Sequence, residues 1–210
     1  MKFYLSILTF FVTIINLNAQ TGSAEISSGG FSFIPAFTSK EPNLIINAET
    51  NSKYKLTGQL VYMVRLKSFT PNGVILISRY KLIDKKFKAI VGIHLPALQV
   101  SEKYDVTSLF GQELFLSYPV SKKITLSTFF LHGAARNSDF KATFAAFNVN
   151  YQSNKWNFMS QTYYLDLGNS IGIDESISYD INEHFQIKGF ANYTITDQFF
   201  ISTIGVKYKI

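Results

Sequence analysis

The sequence predicts an all-β protein: a single antiparallel transmembrane β-barrel of about twelve strands (alternatively about ten), after an N-terminal signal peptide. Two observations carry this prediction. Apolar and polar residues alternate at period two almost throughout the chain, as in strands that separate an apolar from a polar environment. Short polar turns recur along the chain, and the aromatic residues beside them lie on the apolar side of the alternation. Aromatic rings at one level of a sheet are favoured at a membrane interface.

The amino-terminal residues 1–19 predict a secretory signal peptide. Lys2 supplies the positive charge, a mostly apolar run extends to Ile15, and Ala19 offers a small residue for cleavage before Gln20. The run is shorter than the ~20 residues of a transmembrane helix, and a retained amino-terminal anchor is the alternative. We expect cleavage near Ala19, a flexible lead-in over 20–30 and a transmembrane β-barrel over 31–210.

The amino-acid composition excludes several kinds of site and partner. The chain has no cysteine, so disulfides, a lipoprotein anchor and thiolate metal sites are excluded. Hydrophobic residues make up 47% and charged residues only 16%, which suits a barrel with an apolar outside. The net charge of +6 is spread along the chain without a basic, aromatic-interleaved cluster, so no nucleic-acid partner is predicted.

The alternation defines the strands in order. In 54–66, for example, Leu56, Leu60 and Tyr62 share one face, while Lys55, Thr57 and Gln59 share the other. Each short polar turn joins an even-numbered strand to the next odd-numbered one. The predicted strands are 31–37, 43–50, 54–66, 73–83, 87–98, 111–120, 124–132, 141–151, 155–165, 171–181, 185–194 and 198–210.

The connections at the other end are longer. The clearest are 67–72, 99–110 and 133–140, which we expect to face the cell exterior, with the short turns in the periplasm. Pro35, Pro96 and Pro119 lie inside predicted strands, and each should mark a strand end or a bulge because proline lacks the N–H that a ladder needs.

A secreted β-sandwich alternates as well, but the aromatic residues beside the turns and the low charge of the apolar face favour a barrel. The closing residues 205–210 resemble the C-terminal assembly signal of Gram-negative outer-membrane β-barrel (porin-like) proteins, with alternating apolar positions and Tyr208 near the end. The final residue is Ile210, where phenylalanine is commoner. The resemblance implies location in the cell outer membrane, contact with outer-membrane lipids, insertion by the barrel-assembly machinery and, often, passive transport.

The same alternation places charged side chains inside the barrel, with basic residues in excess. A basic lumen favours small anionic solutes, because fixed cations in a narrow passage attract the permeating ion. Alternatively, these charges only keep the interior hydrated. Arg65, Arg79 and Lys188 lie deeper than the lysines near the periplasmic mouth, where solvent screens the charge, and are the better candidates for a selectivity ring. The lysines near the mouth are Lys55, Lys81, Lys88, Lys207 and Lys209. Inward aromatic residues, among them Phe129 and Phe144, would narrow the passage. The candidate lumen and selectivity residues are Arg65, Arg79, Lys188, His94, Glu113 and Asp174.

The predicted function is an outer-membrane channel of porin type that allows passive diffusion of small solutes with a mild anion preference. We assign no catalytic, cofactor-binding or metal-binding residue and expect no enzyme activity and no cofactor. His94, His132 and His184 lie at different predicted levels, too far apart to share a metal ion. One alternative is a non-conducting barrel whose outer loops bind a partner or the cell surface. The second is a lipid-acting enzyme with His132 at the rim.

Overall fold

Twelve strands form a closed barrel in the computed structural model, which describes residues 19–29, 35 and 38–210. No helix in this described part is long and apolar enough to cross a membrane. A 3₁₀ turn, Leu167–Asn169, lies in one connection. The strands are β1 (Ala19–Ser27), β2 (Asn43–Thr50), β3 (Leu56–Arg65), β4 (Thr70–Asp84), β5 (Lys88–Val100), β6 (Val106–Pro119), β7 (Ile124–Ala135), β8 (Lys141–Ser153), β9 (Trp156–Leu165), β10 (Ser170–Asp180), β11 (Phe185–Thr194) and β12 (Phe199–Lys209).

Every strand pairs antiparallel with its sequence neighbours, and the first and last strands close the ring. The closing register runs from Ser23 opposite Lys209 to Ser27 opposite Gly205. Closure joins the two edge strands of the sheet to each other, which a barrel in an apolar medium requires. The all-β class, the antiparallel barrel and the count of twelve strands are therefore confirmed.

The first strand lies earlier in the chain than the sequence suggests. β1 occupies Ala19–Ser27, where we expected a flexible lead-in over 20–30. It pairs along its length with β2, and from Ser23 to Ser27 with β12. Its alternation is hard to recognise because small residues such as Ala24 occupy outward positions, while Ser23 and Glu25 point inward. The strand predicted at 31–37 lies outside the described residues except for Pro35, and so does the signal segment 1–19 except for Ala19.

The outer connections are shorter than expected: 66–69, 101–105 and 136–140 are no longer than the connection 51–55 at the opposite end. β5 and β6 extend through Val100 and from Val106, so their connection is 101–105 rather than 99–110. β7 likewise continues to Ala135. The proline expectation holds at two sites: the register between β5 and β6 shifts across Pro96, and Pro119 ends β6.

The outer surface is apolar and carries aromatic residues beside the short turns. Tyr80, Tyr118, Tyr151, Trp156 and Phe185 keep 38–44% of their surface exposed. Trp156 packs against Tyr179 with ring centroids 4.6 Å apart, and Phe185 packs against Tyr208 at 5.1 Å. We call this row the aromatic girdle. Apolar side chains that are exposed on the outer surface next to such a row are stable in contact with lipid but not in contact with water.

The interior is mixed rather than uniformly polar. Between β7 and β9, Phe144 is fully buried and packs against Phe129 and Tyr163, with ring centroids 6.2 and 5.5 Å apart. A smaller apolar cluster of Ile45, Val61 and Met63 lies on β2 and β3. Many of the other buried side chains are polar or charged. Phe144, with Phe129 and Tyr163, thus fills part of the interior, and polar and apolar side chains together line the remaining space.

Candidate functional site: the barrel lumen

A cavity of about 350 Å³ lies inside the barrel. Its charged lining residues are Glu25, Arg79, Asp174 and Lys188, contributed by four different strands. Gly29, Pro35 and Thr38, which follow β1, also line it. The connection between β1 and β2 therefore contributes to the wall of the cavity. Three of the six predicted lumen residues, Arg79, Lys188 and Asp174, line this space.

Arg79, Glu113 and His94 form one buried cluster on β4, β5 and β6. The Arg79 guanidinium donates to both carboxylate oxygens of Glu113, with Nη2 to Oε2 at 3.3 Å and a shorter contact from Nε to Oε1. His94 Nε2 donates to Glu113 Oε2 at 2.7 Å. The Glu113 side chain is 1% exposed. A carboxylate this buried is stabilised only by such donors, so the three residues act as one unit.

Local sequence explains how Glu113 reaches Arg79. In the sheet, Arg79 is opposite Gly92 and Gly92 is opposite Glu113. A Cβ on Gly92 would lie 2.7 Å from Glu113 Oε1, inside contact distance. Glycine at this position therefore lets the carboxylate lie across β5.

The cluster continues into β2 and β3 through amide side chains. Arg79 Nη1 donates to Gln59 Oε1, and Gln59 Nε2 donates to Asn47 Oδ1 at 3.0 Å. Asn47 Nδ2 then donates to Glu49 Oε1 at 2.9 Å. Gln59, Asn47 and Glu49 were not predicted to belong to this site. The signal for Gln59 was its place on the inward face of the strand that contains Arg65.

Lys188 has a partner that the sequence analysis missed. Its Nζ donates to Glu25 Oε2 at 2.8 Å and to Oε1 at 3.1 Å, joining β11 to β1 across the closing strand. Glu25 lies in the segment expected to be a lead-in. Asp180 at the end of β10 instead pairs with Lys209. The positive charge of Lys188 is therefore compensated by the Glu25 carboxylate inside the barrel.

Arg65 anchors the outer part of the wall. It is 8% exposed and donates to the backbone oxygens of Pro71 at 2.9 Å and Val100 at 2.6 Å. Glu41 lies 3.7 Å from its Nε. Arg65 thus binds strand ends together, at a distance from the Arg79 cluster along β3. Whether Arg65, Arg79 and Lys188 determine selectivity remains a prediction.

Asp174 on β10 differs from these paired charges. It is 1% exposed, and within the described residues neither carboxylate oxygen has a hydrogen-bond partner. Its inward cross-strand neighbours are Gln161 on β9 and Asn192 on β11. The Gln161 amide donates to Asn148 instead, and Asn148 donates to Ser127 at 3.3 Å. We call this row, Ser127, Asn148, Gln161, Asp174 and Asn192, the polar row.

His132 lies outside the lumen, on the outward face of β7. Its Nδ1 is hydrogen-bonded to Thr143 Oγ1 at 3.0 Å, and the Thr143 amide donates to Asp166 Oδ1 at 2.6 Å. This amide holds the pKa of the Asp166 carboxyl below its usual range. A nucleophile–base–acid arrangement places the acid on the imidazole, whereas here Asp166 contacts the threonine. Within the described residues, no group of three or more His, Cys, Asp or Glu side chains is arranged to hold a metal ion.

Comparison with solved structures finds porins. A structure described as KdgM porin in complex with disordered oligogalacturonate aligns over 90% of this chain and 98% of its own, with a TM-score of 0.67 and 10% identity. The NanC porin aligns over 90% and 99%, with a TM-score of 0.59 and 10% identity. No protein-family model matches the chain, and no curated protein matches it. At this identity the likeness concerns the fold: the chain has the fold of the porin-type outer-membrane β-barrels.

Proposed function

We propose that this protein is an outer-membrane channel through which small polar solutes diffuse passively. The observation that carries the proposal is the contrast between the two barrel faces. Aromatic and aliphatic side chains cover the outside, whereas the cavity inside combines charged and amide side chains with apolar ones such as Phe115 and Phe190. This arrangement suits a wall between lipid and water. The porin fold supports the same function, which needs no covalent chemistry and no cofactor.

We further propose a mild preference for anions, with a different origin from the predicted selectivity ring. The deep cations Arg79 and Lys188 are ion-paired with Glu113 and Glu25, so little of their charge acts on a passing solute. Among the described residues, Lys88 and Lys207 form no ion pair. Both lie toward the short-turn end of the barrel. Unpaired lysines at a channel mouth raise the local anion concentration.

Location and assembly complete the proposal. The segment 1–19 would direct export and be removed near Ala19, and the barrel-assembly machinery would insert the chain into outer-membrane lipids. Small anionic solutes are the expected cargo, and no nucleic-acid partner is involved. In this account the non-conducting barrel with partner-binding loops is the principal competitor. It is less favoured because connections such as 101–105 and 136–140 are short.

A liposome-swelling assay tests the proposal. The mature protein is refolded into liposomes, which are then diluted into isotonic solutions of glycerol, arabinose or a trisaccharide. The proposal predicts rapid swelling with glycerol, slower swelling with arabinose and none with the trisaccharide, since passage is limited by the width of the lumen. A folded, heat-modifiable barrel that causes no swelling with any of these solutes would contradict it and favour the loop-binding alternative.

A further inference from the structure

Asp174 is the charge in the cavity lining that the protein leaves uncompensated. Of the four charged residues that line the cavity, Arg79, Glu25 and Lys188 each have an ion-pair partner. Asp174 has no hydrogen-bond partner within the described residues, although it is 1% exposed. A buried ionised carboxylate without a partner is costly, because burial removes the water that would stabilise the charge.

The neighbours of Asp174 direct their donors elsewhere. The amide nitrogen of Gln161 donates to Asn148, and that of Asn192 donates to Thr194 Oγ1 at 3.4 Å. Tyr163 OH donates to Asn192 Oδ1 at 3.0 Å, and this contact favours the same orientation of the Asn192 amide, with its nitrogen on Thr194. A cluster of polar side chains that were purely structural would be expected to turn at least one donor toward the buried carboxylate.

The composition of the site indicates what would compensate the charge. It combines one carboxylate with neutral polar side chains, and the cavity beside it has room for a partly hydrated small ion. Ionisable residues inside a membrane protein commonly mark ion pathways, and inward carboxylates select for cations. A single carboxylate matches a monovalent positive charge.

We propose that Asp174 forms a cation-binding subsite in the lumen, which a small monovalent cation in transit occupies. The inference rests on the proposed channel function and adds to it a site within the lumen where cations bind transiently. The ligand is an alkali metal ion or the primary ammonium group of a small amine, which share a single positive charge of similar size. With basic residues at the mouth and this acidic subsite within, the overall anion preference stays mild.

The experiment is a reversal-potential measurement on Asp174→Asn, in planar bilayers under a KCl gradient at pH 8. Asparagine keeps the shape and removes the charge. We expect the permeability ratio of potassium to chloride to fall about threefold, because a charge in a narrow lumen acts at low effective dielectric constant. Asp139→Asn is the control: it removes an equal charge from the exposed connection before β8, where solvent screens it, so its ratio should change much less. Equal ratios for the wild type and Asp174→Asn, or an equal change in both variants, would overturn the proposal.

A second readout separates this inference from the channel function. Thermal unfolding of the refolded barrel in detergent is compared in KCl, methylammonium chloride and N-methyl-D-glucamine chloride at equal ionic strength. A bound cation should raise the wild-type Tm by roughly 2 °C over the bulky glucamine cation, and the rise should vanish in Asp174→Asn. The cation that produces the rise identifies the ligand. This result would support the subsite even in a barrel that does not conduct, whereas identical Tm values in all three salts would refute it.

Discussion

Glu113 pairs with Arg79 by reaching across Gly92, which lies between them in the sheet. A Cβ on Gly92 would come within 2.7 Å of Glu113 Oε1 and 2.8 Å of its Cγ. Both atoms belong to a side chain that is almost fully buried and held by His94 as well as Arg79. The ion pair therefore depends on the absence of a side chain at a third position.

Gly92→Ala should destabilise the barrel. The added methyl group has to displace the Glu113 carboxylate, and overpacking of this kind costs about 1–3 kcal/mol in the free energy of unfolding. Urea titration of the protein refolded in lipid vesicles measures the loss. Gly133→Ala is the matched control, since its Cβ would lie 3.9 Å from the Phe110 oxygen, an ordinary van der Waals distance. Equal stability of the two variants would show that Glu113 can move freely.

Removing one member of the ion pair should cost more than removing both. Arg79→Gln leaves a buried carboxylate with His94 as its hydrogen-bond partner, and breaking such an ion pair costs about 3–5 kcal/mol. The double variant Arg79→Gln, Glu113→Gln should recover much of this loss because no charge remains buried. A double-mutant cycle of unfolding free energies checks the coupling. Strictly additive effects would mean that the pair does not act as a unit.

The mouth lysines should control the anion preference. Lys88→Gln combined with Lys207→Gln removes two inward charges, and we expect the chloride-to-potassium permeability ratio to fall about twofold, toward no preference. Reversal potentials in planar bilayers give the ratio. Lys53→Gln combined with Lys122→Gln, in the exposed turns, serves as the control with the same loss of charge. If the control variant lowers the chloride-to-potassium permeability ratio equally, the effect of Lys88 and Lys207 comes from the net charge of the whole protein and not from their position in the lumen.

Asp166 should stabilise its connection only above acidic pH. The Thr143 amide lowers the folded-state pKa of Asp166, so the contribution is present above the unfolded-state pKa and is lost as pH falls through the folded value. Asp166→Ala should therefore lower Tm at pH 7 and have no effect once the pH is below that lowered pKa. Asp139→Ala, in the connection before β8, is the control. A difference between wild type and Asp166→Ala that persists unchanged at low pH would contradict this assignment.

The period-two alternation of apolar and polar residues was sufficient to predict most of the fold from the sequence. β2 and β11 have the bounds that the sequence predicts, because each lies beside a short polar turn, 51–53 after β2 and 182–184 before β11. β1 was missed since Ala24 gives little contrast with Ser23 and Glu25. Its position is determined by pairing with β2 and β12, which no local pattern records.

The side-chain contacts inside the lumen were only partly predictable, because they too depend on how the strands pair. Arg79, Glu113 and His94, which alternation predicted on one face, contact one another in the structure. Their contacts depend on strand register, and the register between β4 and β5 shifts twice through bulges. A bulge changes which residues are opposite each other without a strong sequence signal. The pairing of Lys188 with Glu25 could not be predicted because it joins residues from opposite ends of the chain.

Single-channel recording of the refolded mature protein in a planar bilayer tests the central claim, a continuous water-filled passage, most directly. The account predicts discrete conductance steps that grow with salt concentration, and a reversal potential slightly toward the chloride equilibrium under a KCl gradient. Properly folded protein, verified by heat-modifiable migration, that gives no steps at any applied voltage would contradict the channel and leave a closed barrel.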